Sequence, residues 1–482
     1  MGLEDDFVYL KILVFTFLAS YFVKRVPSKY RDVVGAVLGI GAICVVCGGQ
    51  ILYSMVLVLV NIGIIQLKSQ PVVNFGFAFA YLTFFRCAHL IFGVFPKYLP
   101  HANAVQLIMT LRCVGLAFEL HDQEKIKRQR QEIDSSSDAK SNRDKAQENG
   151  EAGVDRLSLN SLQMFYYCYN LFALFTGPYY SYRVHQDMVR CQYLLKKSFS
   201  SEVVTRLMTV PFLIALFLCL QAICPIEDVH EDSFYEHNWF LARLLYSVPV
   251  FAYCRSRCYI AWMISEASCM VAGIGAYPKV TKPKVGSGPS DMEAYRKVQE
   301  QYANAESFMM DVEVEYDFET IRNIDAYGCE FSITFRDSMR CWNRSVQYWL
   351  ATYVYRRCPW RSLRTSVTML VSAYWHGVHA GYYLSFMTIP LCLYAEDLAF
   401  FVMEPKDKDG KVRENEQFRL LWWFYRMRGF EYMVMGFLLL SWTSTIRYWA
   451  SIYFFLHTSL ILVIIIFCVK KYLSKSAKEK EQ

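Results

Sequence analysis

A chain of 482 residues that is 54% hydrophobic and 16% aromatic holds far more apolar material than one soluble core needs. Its net charge of +7 is modest, and the basic residues collect in loops beside apolar runs, a pattern of membrane orientation and headgroup contact rather than nucleic-acid binding. Apolar runs of about 20 residues, enough to cross a bilayer as a helix, recur along most of the chain. Irregular backbone cannot face lipid and the alternation of a barrel is absent, so the expected class is an all-α polytopic membrane protein.

The N-terminus, "MGLEDD", is acidic where a signal peptide is basic, so the first apolar run reads as a retained span. Gly2 follows Met1, but Asp6 lacks the hydroxyl that a myristoylation site prefers. Spans are expected at 7–23, 33–49, 51–67 and 72–95, with a weaker one at 104–120; together they form an N-terminal bundle, 1–120. The basic loop "KRVPSKYR" after the first span places that loop in the cytosol and the N-terminus in the lumen. Cys44 and Cys47 form a C-x-x-C in mid-span, where packing is a better reading than redox or zinc chemistry.

The segment 121–157 is charged and free of aromatics, and is expected to be a disordered cytosolic linker. From 158 to 277 come a re-entrant segment ending in "GPYYSYR", a span at 205–224, an acidic lumenal loop, and an apolar stretch at 239–277. Arg255, Arg257 and Glu266 inside that stretch require that part of it face protein or water. A polar cytosolic or interfacial segment, 278–344, follows, with "KPKVGSGPS" a flexible turn and a short amphipathic helix at 291–302. Residues 345–470 supply two crossings, a cytosolic loop and a final pair, and 471–482 is a basic cytosolic tail. The path totals about eleven crossings, and the absence of an internal repeat weakens a transporter built from inverted halves.

Candidate chemistry concentrates in "AYWHGVHAGYY", where His376 and His379 lie in a run, 365–394, with no Asp, Glu, Lys or Arg. An imidazole at membrane depth is either a packing group bonded to a neighbouring helix or a functional one. Metal binding lacks a third ligand, and nine scattered histidines cannot build the boxes of a di-iron oxygenase. A lone histidine can serve as general base toward a hydroxyl. The second candidate is Asn343 in "FRDSMRCWNRSVQYW", although an asparagine at a membrane boundary also caps helices. Asn343-Arg344-Ser345 is a glycosylation sequon, which the expected topology puts in the cytosol and leaves unmodified.

"RNIDAYGCEFSITFRDSMRCWNRSVQYWL" followed by "SAYWHGVHAGYYLSF", with the earlier "GPYYSYR", closely resembles the membrane-bound O-acyltransferase family and its lysophosphatidylinositol-acylating branch. The resemblance implies spanning, re-entrant and interfacial helices around a central reaction chamber, with His376 as the catalytic histidine and Asn343 as the catalytic asparagine. It implies transfer of a polyunsaturated chain such as arachidonoyl from acyl-coenzyme A to the sn-2 hydroxyl of lysophosphatidylinositol. Acyl-coenzyme A would be a co-substrate, with no permanently bound cofactor or metal. Ala380 departs from the pattern, which has a proline there.

Arg336, Arg340 and Arg344 are candidate phosphate contacts, or else interfacial anchors. Trp342, Tyr374 and Trp375 are candidates for lining an acyl tunnel, and His379 for a secondary substrate contact. The tail "KEKEQ" puts Lys478 and Lys480 in a K-x-K-x-x retrieval pattern, which points to the endoplasmic reticulum. Another lysophospholipid head group, a transporter and a non-catalytic lipid-binding scaffold remain as alternatives.

Overall fold

The computed structural model of the chain describes residues 3–135, 160–190, 199–303, 314–404 and 412–481. In chain order the helices are α1 (Leu3–Arg25), α2 (Ser28–Cys47), α3 (Ile51–Gln66), α4 (Pro71–Phe92), α5 (Pro100–Ser135), α6 (Ser161–Tyr169) and α7 (Tyr182–Arg190). Then come α8 (Ser200–Leu207), α9 (Val210–Ile223), α10 (Asp232–His237), α11 (Phe240–Ala272), α12 (Met292–Ala303), α13 (Ala326–Phe331) and α14 (Phe335–Cys341). The last are α15 (Arg344–Leu350), α16 (Arg364–His376), α17 (Ala380–Met403), α18 (Glu416–Leu439), α19 (Trp442–Ser451) and α20 (Phe455–Glu481). The strands among the described residues are short: β1 (Tyr277–Pro278) pairs with β4 (Tyr316–Asp317), and β2 (Pro283–Lys284) with β3 (Gly288–Pro289).

The all-α membrane class holds, but the count of eleven crossings is not confirmed. Six described helices are long and apolar enough to span, or seven if α19 and the start of α20, bent by 65°, form one. Three physical reasons reduce the count. The expected spans at 33–49 and 51–67 run through a single 3-10 turn at Gly48–Gln50 and make one long apolar element. Helix α16 has 13 residues, too short at 1.5 Å per residue for a core of about 30 Å. Helices α11 and α18 are long enough but carry interior Arg and Glu residues.

The chain divides into two compact units. One comprises Met1–Val210, Ala261–Asn323 and Asn343–Tyr353; the other Pro211–Ile260, Ile324–Trp342 and Val354–Gln482.

In the first unit, the re-entrant reading has a concrete form. Helix α6 stops at Tyr169, and residues 170–181 run without helix yet are almost wholly buried. Buried carbonyls in an apolar setting need donors. Arg112 on α5, itself 1% exposed, supplies them. Its Nη1 donates to the carbonyls of Tyr167 (3.1 Å), Cys168 (2.8 Å) and Asn170 (3.1 Å), and its Nη2 to Phe172 O (2.5 Å) and Tyr180 Oη (3.3 Å). The Tyr9 hydroxyl donates to Phe175 O, and the Ser265 hydroxyl to Gly177 O. On α2, Gly35 and Gly39 form a small-xxx-small face against the same segment: a Cβ at Gly39 would lie 1.9 Å from Tyr169 O.

Glu119, further along α5, accepts from the backbone N–H of Tyr182 (3.2 Å) and Arg183 (3.3 Å), and so anchors the start of α7. Helix α5 continues to Ser135, so the first part of the expected linker is helical, while 136–157 lies outside the described residues. The expected amphipathic helix appears as α12. The expected flexible turn is instead an ordered hairpin. Gly286 at its tip has φ +73° and sits where a Cβ would come within 2.3 Å of the Tyr348 ring. Its N–H donates to Thr320 O (2.8 Å) and its carbonyl accepts from Ser181 N (2.9 Å). Within α11, Glu266 pairs with Arg206, as a carboxylate 1% exposed requires.

The second unit packs α17 against α16, α18 and α20. Its buried cluster includes Phe335, Ala395, Trp422, Tyr432, Met435, Trp449 and Leu456. Two buried charges tie down α13 and α14. Arg426 donates to Cys329 O (2.9 Å), Glu330 O (2.8 Å) and Ser338 Oγ (2.9 Å); Glu396 accepts from the N–H groups of Phe335 (2.5 Å) and Arg336 (3.2 Å). Arg255, another of the three interior charges expected to face protein or water, bonds Glu330 at 2.9 Å.

Arg112→Leu would strand the carbonyls of Cys168 and Asn170, while Tyr167 O keeps the Asn170 N–H and Phe172 O keeps the Tyr180 hydroxyl. Each unpaired buried group costs about 1–3 kcal/mol, so a loss of about 2–6 kcal/mol is expected, with Arg112→Lys recovering only part of it. Thermal melting of the purified protein in detergent measures it; an unchanged midpoint would mean that the segment is held by other contacts.

Candidate active site

His376 is the last residue of α16 in the second unit. The helix ends there because Gly377 turns fully extended (φ 169°, ψ −178°), a conformation open to any residue. The glycine is required by space: a Cβ would lie 2.6 Å from Cε2 of Tyr382. Chain direction then reverses into α17, whose first turn lies directly on α18. A Cβ at Gly381 would sit 2.1 Å from Gly436 O, and Gly381 N donates to Leu440 O at 2.7 Å.

That close approach surrounds the imidazole with rings. Its centroid lies 4.8 Å from that of Trp375, 5.9 Å from Tyr382, 5.1 Å from Phe386 in a stacked arrangement, and 5.1 Å from Phe437 edge-on. His376 is half-buried and Trp375 buried. The setting is apolar and of low dielectric, where a proton-accepting group competes little with water.

The two histidines of the motif are not equivalent. His379 is exposed, occupies the N-cap position of α17, and its ring centre lies 6.2 Å from that of Tyr382. Tyr374 is half-buried on α16. Ala380 takes the first position of α17, the one place in a helix where proline fits without losing a bond, so the departure from the pattern leaves the helix start intact.

Asn343 lies in the first unit, at the N-cap of α15, with φ 43° and ψ 51°. A left-handed conformation at a non-glycine residue costs about 1 kcal/mol or more and marks positions that the surrounding structure dictates. The capping role does not hold: its side chain makes no cap bond, and its buried Oδ1 has no hydrogen-bond partner. An unsatisfied buried acceptor calls for a donor from outside the chain. Ser345 of the sequon is 0% exposed, with its hydroxyl bonded to Asn323.

The arginines already have carboxylate partners. Arg336 bonds both oxygens of Asp397 (2.8 and 2.9 Å), Arg340 bonds Asp337 (3.1 Å), and Arg344 pairs with Glu319. The first two pairs are exposed and weak, so an anion could displace them. Trp342 stands 5.8 Å from the Tyr259 ring in the second unit. Among the described residues, no group of three His, Cys, Asp or Glu side chains is placed to hold a metal ion.

Sequence reasoning missed Asn323, whose side chain orders the start of α15. Its signal was positional only, a polar residue inside "RNIDAYG".

Because Gly377 is constrained by Tyr382 and not by its dihedrals, Gly377→Ala should fold normally and push Tyr382 against the imidazole. Acyl transfer is expected to fall about 100-fold, the scale of a misplacement of about 1 Å, with the melting midpoint nearly unchanged. Retention of full activity in a folded Gly377→Ala protein would dissociate the ring cage from function.

A family model described as MBOAT, membrane-bound O-acyltransferase family, matches residues 70–439. The chain is 37% identical over 461 residues to a membrane-bound acylglycerophosphatidylinositol O-acyltransferase of Mus musculus, covering 94% of this chain and 91% of that protein. The Homo sapiens protein of the same description gives the same identity and coverage, and the Danio rerio one is 35% identical over 99% of this chain and 96% of its own length. With the aromatic-walled histidine, the unsatisfied asparagine and a likeness that spans nearly the whole chain, this protein belongs to the membrane-bound O-acyltransferase family.

Proposed function

We propose that this chain transfers an acyl group from acyl-coenzyme A to the free sn-2 hydroxyl of lysophosphatidylinositol, in phospholipid remodelling. The observation that carries the reading is likeness over 94% of the chain to proteins described as acylglycerophosphatidylinositol O-acyltransferases. A preference for polyunsaturated chains such as arachidonoyl rests on the resemblance in the "W-N" and "W-H-G" segments.

His376 is the general base. It takes the proton of the lysolipid hydroxyl as that oxygen adds to the thioester carbon; the C–S bond then breaks, and the departing sulfur recovers the proton. No acyl-enzyme intermediate is needed. The rings of Trp375, Tyr382, Phe386 and Phe437 keep water from competing with the lipid hydroxyl. Asn343 engages the substrate through Oδ1, an acceptor left without a partner by the protein itself. Arg336 and Arg340, whose carboxylate pairs are solvent-exposed, are the arginines best suited to exchange those partners for coenzyme A phosphates; Arg344, less exposed and tied to Glu319, suits a structural role.

An N-terminus on the lumenal side and a C-terminus on the cytosolic side of the endoplasmic reticulum membrane is the placement that the basic first loop supports. Side chains of the dilysine tail lie outside the described residues.

Purified protein is mixed with arachidonoyl-coenzyme A and a panel of lysophospholipids, and free thiol is followed. Thiol release with lysophosphatidylinositol should exceed that with other head groups by at least about tenfold, and His376→Ala and Asn343→Ala should each lose at least about 100-fold. Equal release by wild type and His376→Ala would refute the base; equal release across the panel would refute the head group.

A further inference from the structure

The loop from Tyr355 to Arg364, in the second unit, carries arginines at 356, 357, 361 and 364, and the surrounding run 338–395 contains no Asp or Glu. Its positive charge has no local counterweight. Arg356, Arg357 and Arg361 are exposed, and among the described residues neither Arg356 nor Arg361 finds a side-chain partner. Apolar groups stand out of the same loop: Tyr355 is 40% exposed, Trp360 62% and Leu363 51%.

These side chains are held outward by a folded backbone. Cys358 N donates to Tyr355 O (3.4 Å), Leu363 N to Trp360 O (3.1 Å), and Arg364 Nε to Cys358 O (3.1 Å). The Arg364 guanidinium also lies 5.8 Å from the centre of the Tyr355 ring, which closes the loop onto the first residue of α16.

Such a loop suits neither bulk water nor hydrocarbon. Guanidinium groups are costly in an acyl core, and an exposed indole beside an exposed leucine is poorly placed in water. The headgroup layer of a bilayer accommodates both. The chain that follows agrees, because 365–394 has no charged residue and the 13 residues of α16, at 1.5 Å each, carry it about 20 Å from that layer to His376 at its far end. The loop is thus the outer end of the helix that carries the candidate base.

The phosphate of a zwitterionic lipid is already balanced by its own amine. That of an acidic lipid is not, and arginine forks without carboxylates match it. Trp360 and Leu363 favour a lipid over a soluble phosphate or an acidic protein, since a lipid brings acyl chains to the same place as its charge.

We propose that the loop 355–364 binds acidic glycerophospholipids of the bilayer, with Arg356 and Arg361 on the phosphates and Trp360 and Leu363 at the acyl boundary, and that this contact seats α16. Lipid charge thereby regulates acyl transfer. The binding half stands by itself; the effect on rate rests on the acyltransferase reading above.

The test uses full-length protein and phosphatidylserine, which is neither acceptor nor product of the proposed reaction. A fluorescent phosphatidylserine, and a phosphatidylcholine with the same chains, are titrated onto the protein in detergent. Each basic residue beside an anionic lipid is worth about fivefold in affinity, so Arg356→Gln/Arg361→Gln should bind phosphatidylserine about 25-fold more weakly and phosphatidylcholine within about twofold of wild type. Arg356→Lys/Arg361→Lys keeps the charge and should recover most of the loss. In nanodiscs, adding phosphatidylserine to phosphatidylcholine should speed thiol release by wild type and leave the Gln variant at its rate in phosphatidylcholine alone.

Equal affinity of wild type for the two lipids overturns the proposal, as does a Gln variant that binds phosphatidylserine as wild type does. A Gln variant with unchanged lipid binding and a raised KM for arachidonoyl-coenzyme A would assign the arginines to the nucleotide instead, and also overturns it. If the Gln variant melts early, Arg361→Gln alone is read by the same criteria. Phosphatidylserine that binds without altering the wild-type rate refutes the regulatory half. A wild type that releases no thiol in either disc defeats the acyltransferase reading, and the lipid titration still decides the site.

Discussion

Arg112 carries a full positive charge into a part of the chain where the neighbouring helices present hydrocarbon, and the desolvation this entails is offset because four carbonyl dipoles converge on its two terminal nitrogens. Without that fork, residues 170–181 would have to be helical or wet. With it, the chain can leave α6 after nine residues and run irregularly through the interior. That path in turn delivers Tyr179, whose N–H bonds Ser345 Oγ, to the start of α15. The conformation of Asn343 thus depends, through a short series of bonds, on a residue more than two hundred positions earlier.

The second unit solves a related problem with one buried charge of each sign. Glu396 and Arg426, both buried, bond the backbone of α13 and α14 and use little side-chain partnering to do so. Around His376 the fold takes another course and surrounds an ionisable ring with aromatic faces. In the first unit the polar group proposed for chemistry, Asn343, is one that the fold positions but does not fully satisfy. Buried charge in this protein works mainly as scaffold.

How much of this was legible in the sequence follows from the range of each interaction. The helical class, the break near residue 170, the amphipathic α12 and the inequivalence of His376 and His379 are local or periodic, and they could be read directly. The crossing count was not confirmed, because hydropathy cannot tell a bent helix pair or a continuous double-length helix from separate spans. The hairpin at Gly286 looked like a flexible loop because its Gly and Pro content is the same whether its tip is solvated or pressed against Tyr348. Arg112 and Asn323 were invisible for a plainer reason: their partners lie more than fifty and about twenty residues away, and no period or motif encodes that pairing.

The glycine contacts bear on how inherited or engineered variants of this chain would be interpreted. Among the described glycines, the closest approaches of an added methyl to backbone fall at Gly39, 1.9 Å from Tyr169 O, and at Gly381, 2.1 Å from Gly436 O. A saturation screen scored only by product formation would colour α2 as intensely as the histidine motif, although α2 carries no reactive group. Sorting the two kinds of intolerance needs a second axis, protein abundance, on which Gly39 variants drop and His376 variants do not.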